Sequence, residues 1–151
     1  MSPHLFTKAI LEGTPIDLFN KGRMRRDFTY IDDVVEGIVR IMDKTATPDS
    51  KYNSEKPDPS RSRAPCRIYN IGNHHPVKLL TYIKIIEKAL GKKAIKNMLP
   101  RQLSEVPATF ADVNDLKDAV GFAPSTPLHE GIAKFVKWYL EYYGYKHTIG
   151  H

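Results

Sequence analysis

The stretch "RIYNIGN", residues 67–73, is the one run in this chain that reads as an interior strand of a parallel sheet. It is short, mostly apolar and closed by a Gly turn. Such a strand needs parallel neighbours, and parallel neighbours need crossover helices. The rest of the chain is rich in helices and poor in strands. "PVKLLTYIKIIEKALGKK" (76–93) is the clearest amphipathic helix, with Pro76 at its start and Gly91 at its stop. "PHLFTKAILEG" repeats Leu5, Phe6, Ala9, Ile10 and Leu11 near helical spacing, up to Gly13. Val34, Val35, Ile38, Ile41 and Met42 predict a helix over 33–43, with Asp32 or Asp33 as its cap. A short helix is expected from about Asp112, and a terminal one from about Pro127 to Tyr143. Short strands are expected in "TPIDLFNKG", in "DFTYI" with Phe28 and Tyr30 on one face, and in "AIKNMLP". The class is therefore α/β, with helices outweighing strands and no complete run of βαβ units. Residues 1–151 read as a single partial domain of a larger architecture.

Between the helical stretches lies "KTATPDSKYNSEKPDPSRSRAPC" (44–66). It is polar, holds four prolines and has no period, which predicts a long exposed loop. Lys and Arg exceed Asp and Glu by 23 to 17, giving a net charge of +6 and an anionic partner of some kind. The single cysteine, Cys66, cannot form an internal disulfide, which fits a cytoplasmic location. No apolar run approaches the roughly 18–20 residues of a membrane span. The opening "MSPHLFTKAILEG" lacks the charged start and long apolar stretch of a signal peptide.

"GRMRRDFTYIDD" (22–33) sets Arg23, Arg25 and Arg26 just before an aromatic pair and an acidic helix start. Fork-shaped, permanently charged donors suit phosphate, and Arg26 sits at the mouth of a predicted strand. From charge alone, a solvated basic turn weighs more. Other constellations carry less. "YNSEK" (Tyr52, Lys56) and "YYGYK" (Tyr142, Lys146) match Tyr-x-x-x-Lys. The first lies in the Pro-rich loop and the second crosses Gly144 at a helix end. His74 and His75 are adjacent and lack partners at ligand spacing, so a polar turn outweighs a metal site. Trp138, Tyr139, Tyr142 and Tyr143 fit core and rim packing at helical spacing. Cys66, beside Arg67, has no catalytic partner arrangement. The nine glycines form no GxGxxG or GxxGxxG.

Four separated blocks carry a further signal: "LFTKAILEGTPIDLFNKGRMRRDFTYIDDVVEGIVRIMDK", "YNIGNHHPVKLLTYIKIIEKALGKKA", "MLPRQLSEVPATFADVNDL" and "GFAPSTPLHEGIAKFVKWYLEYYG". In order and spacing they resemble the C-terminal half of the nucleotide-sugar epimerases of the extended short-chain dehydrogenase/reductase superfamily, over roughly residues 4–144. Within it they lie nearest the UDP-glucuronate 4-epimerases. The resemblance implies the substrate-binding portion of a Rossmann-like NAD(P)-binding fold, without the dinucleotide-binding half. It implies that Arg26 would bind the diphosphate and Phe28 fill the adjoining aromatic position. Asp17, Leu18 and Phe19 would meet the uracil edge largely through backbone groups, and Val77 would pack on the nucleoside. Gln102 and Glu105 would contact the ribose or phosphates. Where relatives read Gly-Asp, this chain has Leu103-Ser104-Glu105, which removes a glycine's left-handed freedom and lengthens the carboxylate arm.

The family's reaction resembles an oxidation at C4 of a UDP-sugar by NAD, followed by hydride return to the other face. The Gly-rich turn and the tyrosine–lysine pair it needs would lie outside these blocks. The expectation is a chain that binds a UDP-sugar, holds no cofactor by itself, and catalyses nothing alone. The helix at 33–43 and the strand at 67–72 would then expose apolar surface for a homo-oligomer or a complementary NAD-binding half. Two other classes stand beside this reading. One is a basic nucleic-acid module using Arg23, Arg25, Arg26, Lys92, Lys93 and Lys96, disfavoured because no helix-turn-helix, zinc finger or aromatic RNA-binding motif is present. The other is a non-catalytic assembly domain.

Overall fold

The structure, a computed structural model, describes residues 3–102 and 106–145. They fall into two compact units. One comprises residues 3–28, 75–102, 106–109 and 126–145; the other comprises residues 29–74 and 110–125.

The first unit is built on three helices: α1 (Pro3–Glu12), α3 (Leu79–Leu90) and α5 (Leu128–Tyr142). Leu79, Tyr82, Ile83 and Ile86 recur at i, i+3, i+4 and i+7, which puts them on one face of α3. That face packs with Phe6 and Ile10 of α1 and Ile132, Val136 and Leu140 of α5. Two pairs of three-residue strands complete the unit. β1 (Ile16–Leu18) runs parallel to β4 (Lys96–Met98), and β2 (Arg25–Asp27) runs antiparallel to β3 (Pro76–Lys78). Ile16 and Leu18 of β1 and the intervening Met24 are fully inside this core. Full burial of such a side chain stabilises by about 1.5–3 kcal/mol.

The second unit packs α2 (Ile31–Met42) with α4 (Asn114–Val120). Gly37 is buried on α2, and a Cβ there would make ordinary van der Waals contact with Ile71 at 3.5 Å and the Phe122 ring at 3.7 Å. Among its described residues Val113, Leu116 and Pro124 are buried side chains, and the Arg40 guanidinium covers Phe122 at 4.9 Å. Residues 44–66 contain no helix or strand, as composition predicts, but they are held by local hydrogen bonds. Asp49, Asn53 and Asp58 each accept the N–H two residues on.

Four expectations are corrected. "RIYNIG" is not a strand: Arg67 makes an isolated bridge to Arg61, Ile68 donates to the Ser60 carbonyl, and Ile68 is exposed. An extended run becomes a strand only when it joins a ladder, and no strand among the described residues pairs with this one. "DFTYI" likewise contributes only Asp27 to a strand. β2 ends there because its partner in register is Pro76, which has no N–H to continue the ladder. Pro76 consequently begins β3, and α3 starts at Leu79, after Lys78 in an extended conformation. The cap of α2 is Tyr30, with no side-chain cap bond. Asp32 and Asp33 sit inside the first turn, where the helix dipole favours them. Asp33 accepts the Ser125 N–H at 3.1 Å. Tyr139 is buried, while Trp138, Tyr142 and Tyr143 form the exposed rim of α5.

Candidate functional site

The expected site residues that the structure describes all lie in the first unit, on or beside the two small sheets. Arg26 and Val77 are paired across β2 and β3. The Arg26 guanidinium donates through Nη1 to the Arg25 carbonyl at 2.8 Å and through Nη2 to the Met24 sulfur at 3.5 Å. These bonds hold the fork against β2 rather than letting it swing on a loop. Phe28, just past the strand, stacks on the Tyr82 ring of α3 with centroids 4.2 Å apart and planes 9° from parallel. Strand pairing and ring stacking thus bring Arg26, Val77 and Phe28 into one surface.

Asp17, Leu18 and Phe19 lie on and after β1. Leu18 is wholly buried, so its accessible chemistry is in the backbone, and its carbonyl already accepts the Leu99 N–H at 3.0 Å. Asp17 is exposed and accepts the Asn97 side-chain amide at 2.8 Å. From Phe19 the chain enters a left-handed turn: Asn20, Lys21 and Gly22 take φ of 50°, 51° and 71°. For Asn20 and Lys21 this costs about 1–2 kcal/mol each. It is held by Asn20 and Lys21 N–H bonds to the Pro100 and Leu99 carbonyls. Gly22 suits the third position twice over, since a Cβ would stand 2.8 Å from Leu80. Strain of this kind concentrates where backbone geometry serves a ligand.

The segment after β4 runs beside this turn at Leu99 and Pro100, then reaches β2. There Arg25 donates to the Pro107 carbonyl at 2.9 Å and Asp27 donates its N–H to Thr109 Oγ1 at 3.3 Å. Gln102 is exposed on that segment, and Glu105 lies outside the described residues. The same holds for Lys146 of the second Tyr-x-x-x-Lys match.

Several supporting residues escaped the sequence reading. Tyr82 provides the floor under Phe28. Its buried hydroxyl has no hydrogen-bond partner among the described residues, and burial pushes the phenol's pKa up. Its place on the apolar face of α3 was predictable; its stacking on Phe28 was not. Asn97 and Thr109, which anchor Asp17 and Asp27, carry no signal beyond being polar. Glu87, near the end of α3, is buried. Burial alone would raise its pKa, but Lys96 Nζ at 2.5 Å, the Ala94 N–H at 2.9 Å and Lys93 hold it below the ordinary range.

A dinucleotide requires a glycine-rich turn between a strand and a helix. Among the described residues no such turn exists, and β3 passes straight from Lys78 into α3 at Leu79. No helix among them is long and apolar enough to cross a membrane.

The short strands packed on helices are similar in fold to part of solved extended short-chain dehydrogenase/reductase epimerases. The UDP-glucuronic acid 4-epimerase of Bacillus cereus, solved with UDP-glucuronic acid and NAD, superposes with a TM-score of 0.69 at 27% identity. That match covers 92% of this chain and 40% of the enzyme. Residues 3–72 carry the domain of the NAD dependent epimerase/dehydratase family. The chain is homologous to Protein CapI of Staphylococcus aureus, at 49% identity over 138 residues (91% of this chain, 41% of that protein). It is also homologous to the probable UDP-glucuronate 4-epimerase of Rhizobium meliloti (strain 1021), at 46% identity over 144 residues (95% and 42%). The chain therefore spans about two fifths of the length of these relatives.

Proposed function

We propose that this chain binds a UDP-sugar as the substrate-holding portion of a nucleotide-sugar epimerase acting at C4 of UDP-glucuronate or a related sugar. The observation that carries this is the Arg26–Val77 pair across β2 and β3, with Phe28 stacked on Tyr82 beside it. Together they offer a fixed guanidinium fork for a diphosphate next to an aromatic and aliphatic surface for a nucleoside. Asp17 to Phe19 and Gln102 supply the uracil and ribose edges, and Glu105 is assigned with them. The oxidation and hydride return belong to the whole enzyme with NAD; this chain's own part is binding and orientation. With its single, exposed Cys66 thiol, the chain suits a reducing cytoplasm.

Calorimetric titration of the full chain with UDP, UDP-glucuronate and a short DNA duplex tests the reading. Micromolar-to-millimolar binding of both uridine ligands is expected. Tighter and steeply salt-dependent binding of the duplex would instead favour a nucleic-acid module and overturn it.

A further inference from the structure

Residues 44–66, polar and rich in proline, end on a concentrated set of ionic contacts that the UDP-sugar reading does not use. Arg61 lies at their centre. Its Nε is 3.2 Å from Asp58, its Nη2 3.4 Å from Asp115 and its Nη1 3.9 Å from Asp49. Asp115, in the first turn of α4, also takes Arg67 Nη2 at 3.1 Å on the same oxygen. The Ser60 hydroxyl stands 2.7 Å from Asp58 Oδ1 and 3.1 Å from the other Asp115 oxygen. Two backbone bonds cross the loop at this point. The Asp49 N–H donates to the Ser62 carbonyl at 2.9 Å, and the Ile68 N–H donates to the Ser60 carbonyl at 3.0 Å. The Ser60 hydroxyl and N–H, then Arg61 and Arg67, hold the Asp58 carboxyl below its ordinary range.

This geometry is directional. Ser60 and Arg61 of the loop, with Arg67 just beyond it, converge on the one carboxylate of Asp115 in a different element, and Asp49 and Asp58 hold Arg61 from the loop's side. The closed loop also supplies a wall. Thr45 to Asp49 form one side of a groove of about 410 Å³ whose other side is Asp115, Asp118 and Ala119 of α4. A loop without helix or strand has little else to hold it, since its apolar content is low and its backbone bonds are few.

We infer that residues 44–66 are a strap clasped onto α4 through Asp115, closed by the Arg61 and Arg67 ion pairs and opened when those pairs are screened or removed. The clasp works within the second unit and is independent of the UDP-sugar reading, whose residues lie in the first. Opening it removes the Thr45–Asp49 wall and exposes the groove. The pairs are partly solvated, so each is weak singly; convergence on one carboxylate makes them act together.

Amide hydrogen exchange on the full chain reads closure directly through the Asp49 and Ile68 N–H groups. Raising salt from about 0.1 M to about 1 M shortens the Debye length from about 10 Å to about 3 Å. That change should speed exchange at both amides by about threefold to tenfold, while α3 amides stay unchanged. Asp115→Asn should do the same at low salt and abolish the salt response. Arg61→Gln, in the strap itself where no fold core depends on it, should reproduce the effect. Lys56→Gln, which removes a strap charge outside the clasp, should leave exchange as in the parent chain. The inference is overturned if both amides exchange at the parent rate in Arg61→Gln and Asp115→Asn. Equal acceleration by Lys56→Gln would also overturn it.

Discussion

Arg26 differs from its neighbours Arg23 and Arg25 in how it is held. Its fork is bonded to the Arg25 carbonyl and the Met24 sulfur, with Met24 itself buried in the core. Arg23 and Arg25 are exposed, and Arg25 reaches the Pro76 carbonyl only at 3.5 Å. A pre-positioned guanidinium loses less entropy on meeting a diphosphate than one that must be ordered first. Arg26→Ala should therefore weaken UDP binding by about 1.5–3 kcal/mol, the scale of a charged hydrogen bond. Arg23→Ala should change it little. Equal small losses from both variants, measured by titration calorimetry, would reduce the arginine run to general electrostatics. Glu87 gives a second prediction, for stability. Its carboxylate is favoured in the folded chain, so its contribution is complete above the ordinary Glu value of 4.5 and is lost as pH falls through its lower folded value. Glu87→Gln should cost about 1–3 kcal/mol at neutral pH, because Lys96 and the Ala94 N–H lose their charged acceptor. The gap between the two proteins in urea denaturation should close below about pH 4.5. A gap that stays constant into acid would show that Glu87 acts by shape and not by charge.

Helices behave here as their spacing dictates, and α2 shows what spacing cannot decide. Its sequence has apolar residues on more than one side. Gly37 is buried against Ile71 and Phe122, whereas Ile31, Val35, Ile38, Val39 and Met42 are exposed, Met42 by 77%. We propose that this exposed stripe is a surface for association, since apolar patches of this kind are commonly covered. Val35→Glu should leave stability within about 0.5 kcal/mol of the parent, since half of the Val35 side chain is exposed. Sedimentation velocity should show less self-association for that variant. A large drop in stability would mean that Val35 contributes to the unit's own core. The same reasoning explains which elements could be read from residues alone. α1, α3 and α5 carry their apolar faces and glycine stops in local sequence, so their placement falls within a few residues of expectation. Strand identity is a property of pairs. "RIYNIG" has the composition of a buried strand but, among the described residues, only an isolated bridge at Arg67, while Arg25–Asp27, unremarkable by composition, is a strand because β3 pairs with it. For the candidate site, Arg26, the "PIDLF" segment and Val77 are singled out by the resemblance to the epimerases and not by the residues' own pattern. The Phe28–Tyr82 stack, the Asn97 and Thr109 anchors and the Arg61–Asp115 clasp were legible from neither, since each joins residues distant in sequence.

The chain passes between the two units repeatedly, yet each unit has its own interior. In the first, Ile83 and Ile86 sit at the centre of a cluster drawn from three helices and β1. In the second, among the described residues, Val113, Leu116 and Pro124 are the buried apolar side chains, with Gly37 of α2 buried beside Ile71 and Phe122. A core so small supplies few kcal/mol against the entropy of ordering a long polar strap. The second unit should therefore open at lower free energy than the first. Native-state exchange can separate them, using the Lys117 and Gly121 amides bonded within α4 and the amides of α3. Ile83→Ala should cost the first unit about 2–5 kcal/mol, the usual loss on emptying a fully buried aliphatic site. The α4 amides, which exchange through local opening of the second unit, should keep their rates under conditions where global unfolding remains the rarer event. If α3 and α4 amides instead lose protection by the same free energy in Ile83→Ala, the two units open as one cooperative body. The strap would then be stabilised by the whole fold and not by its clasp alone.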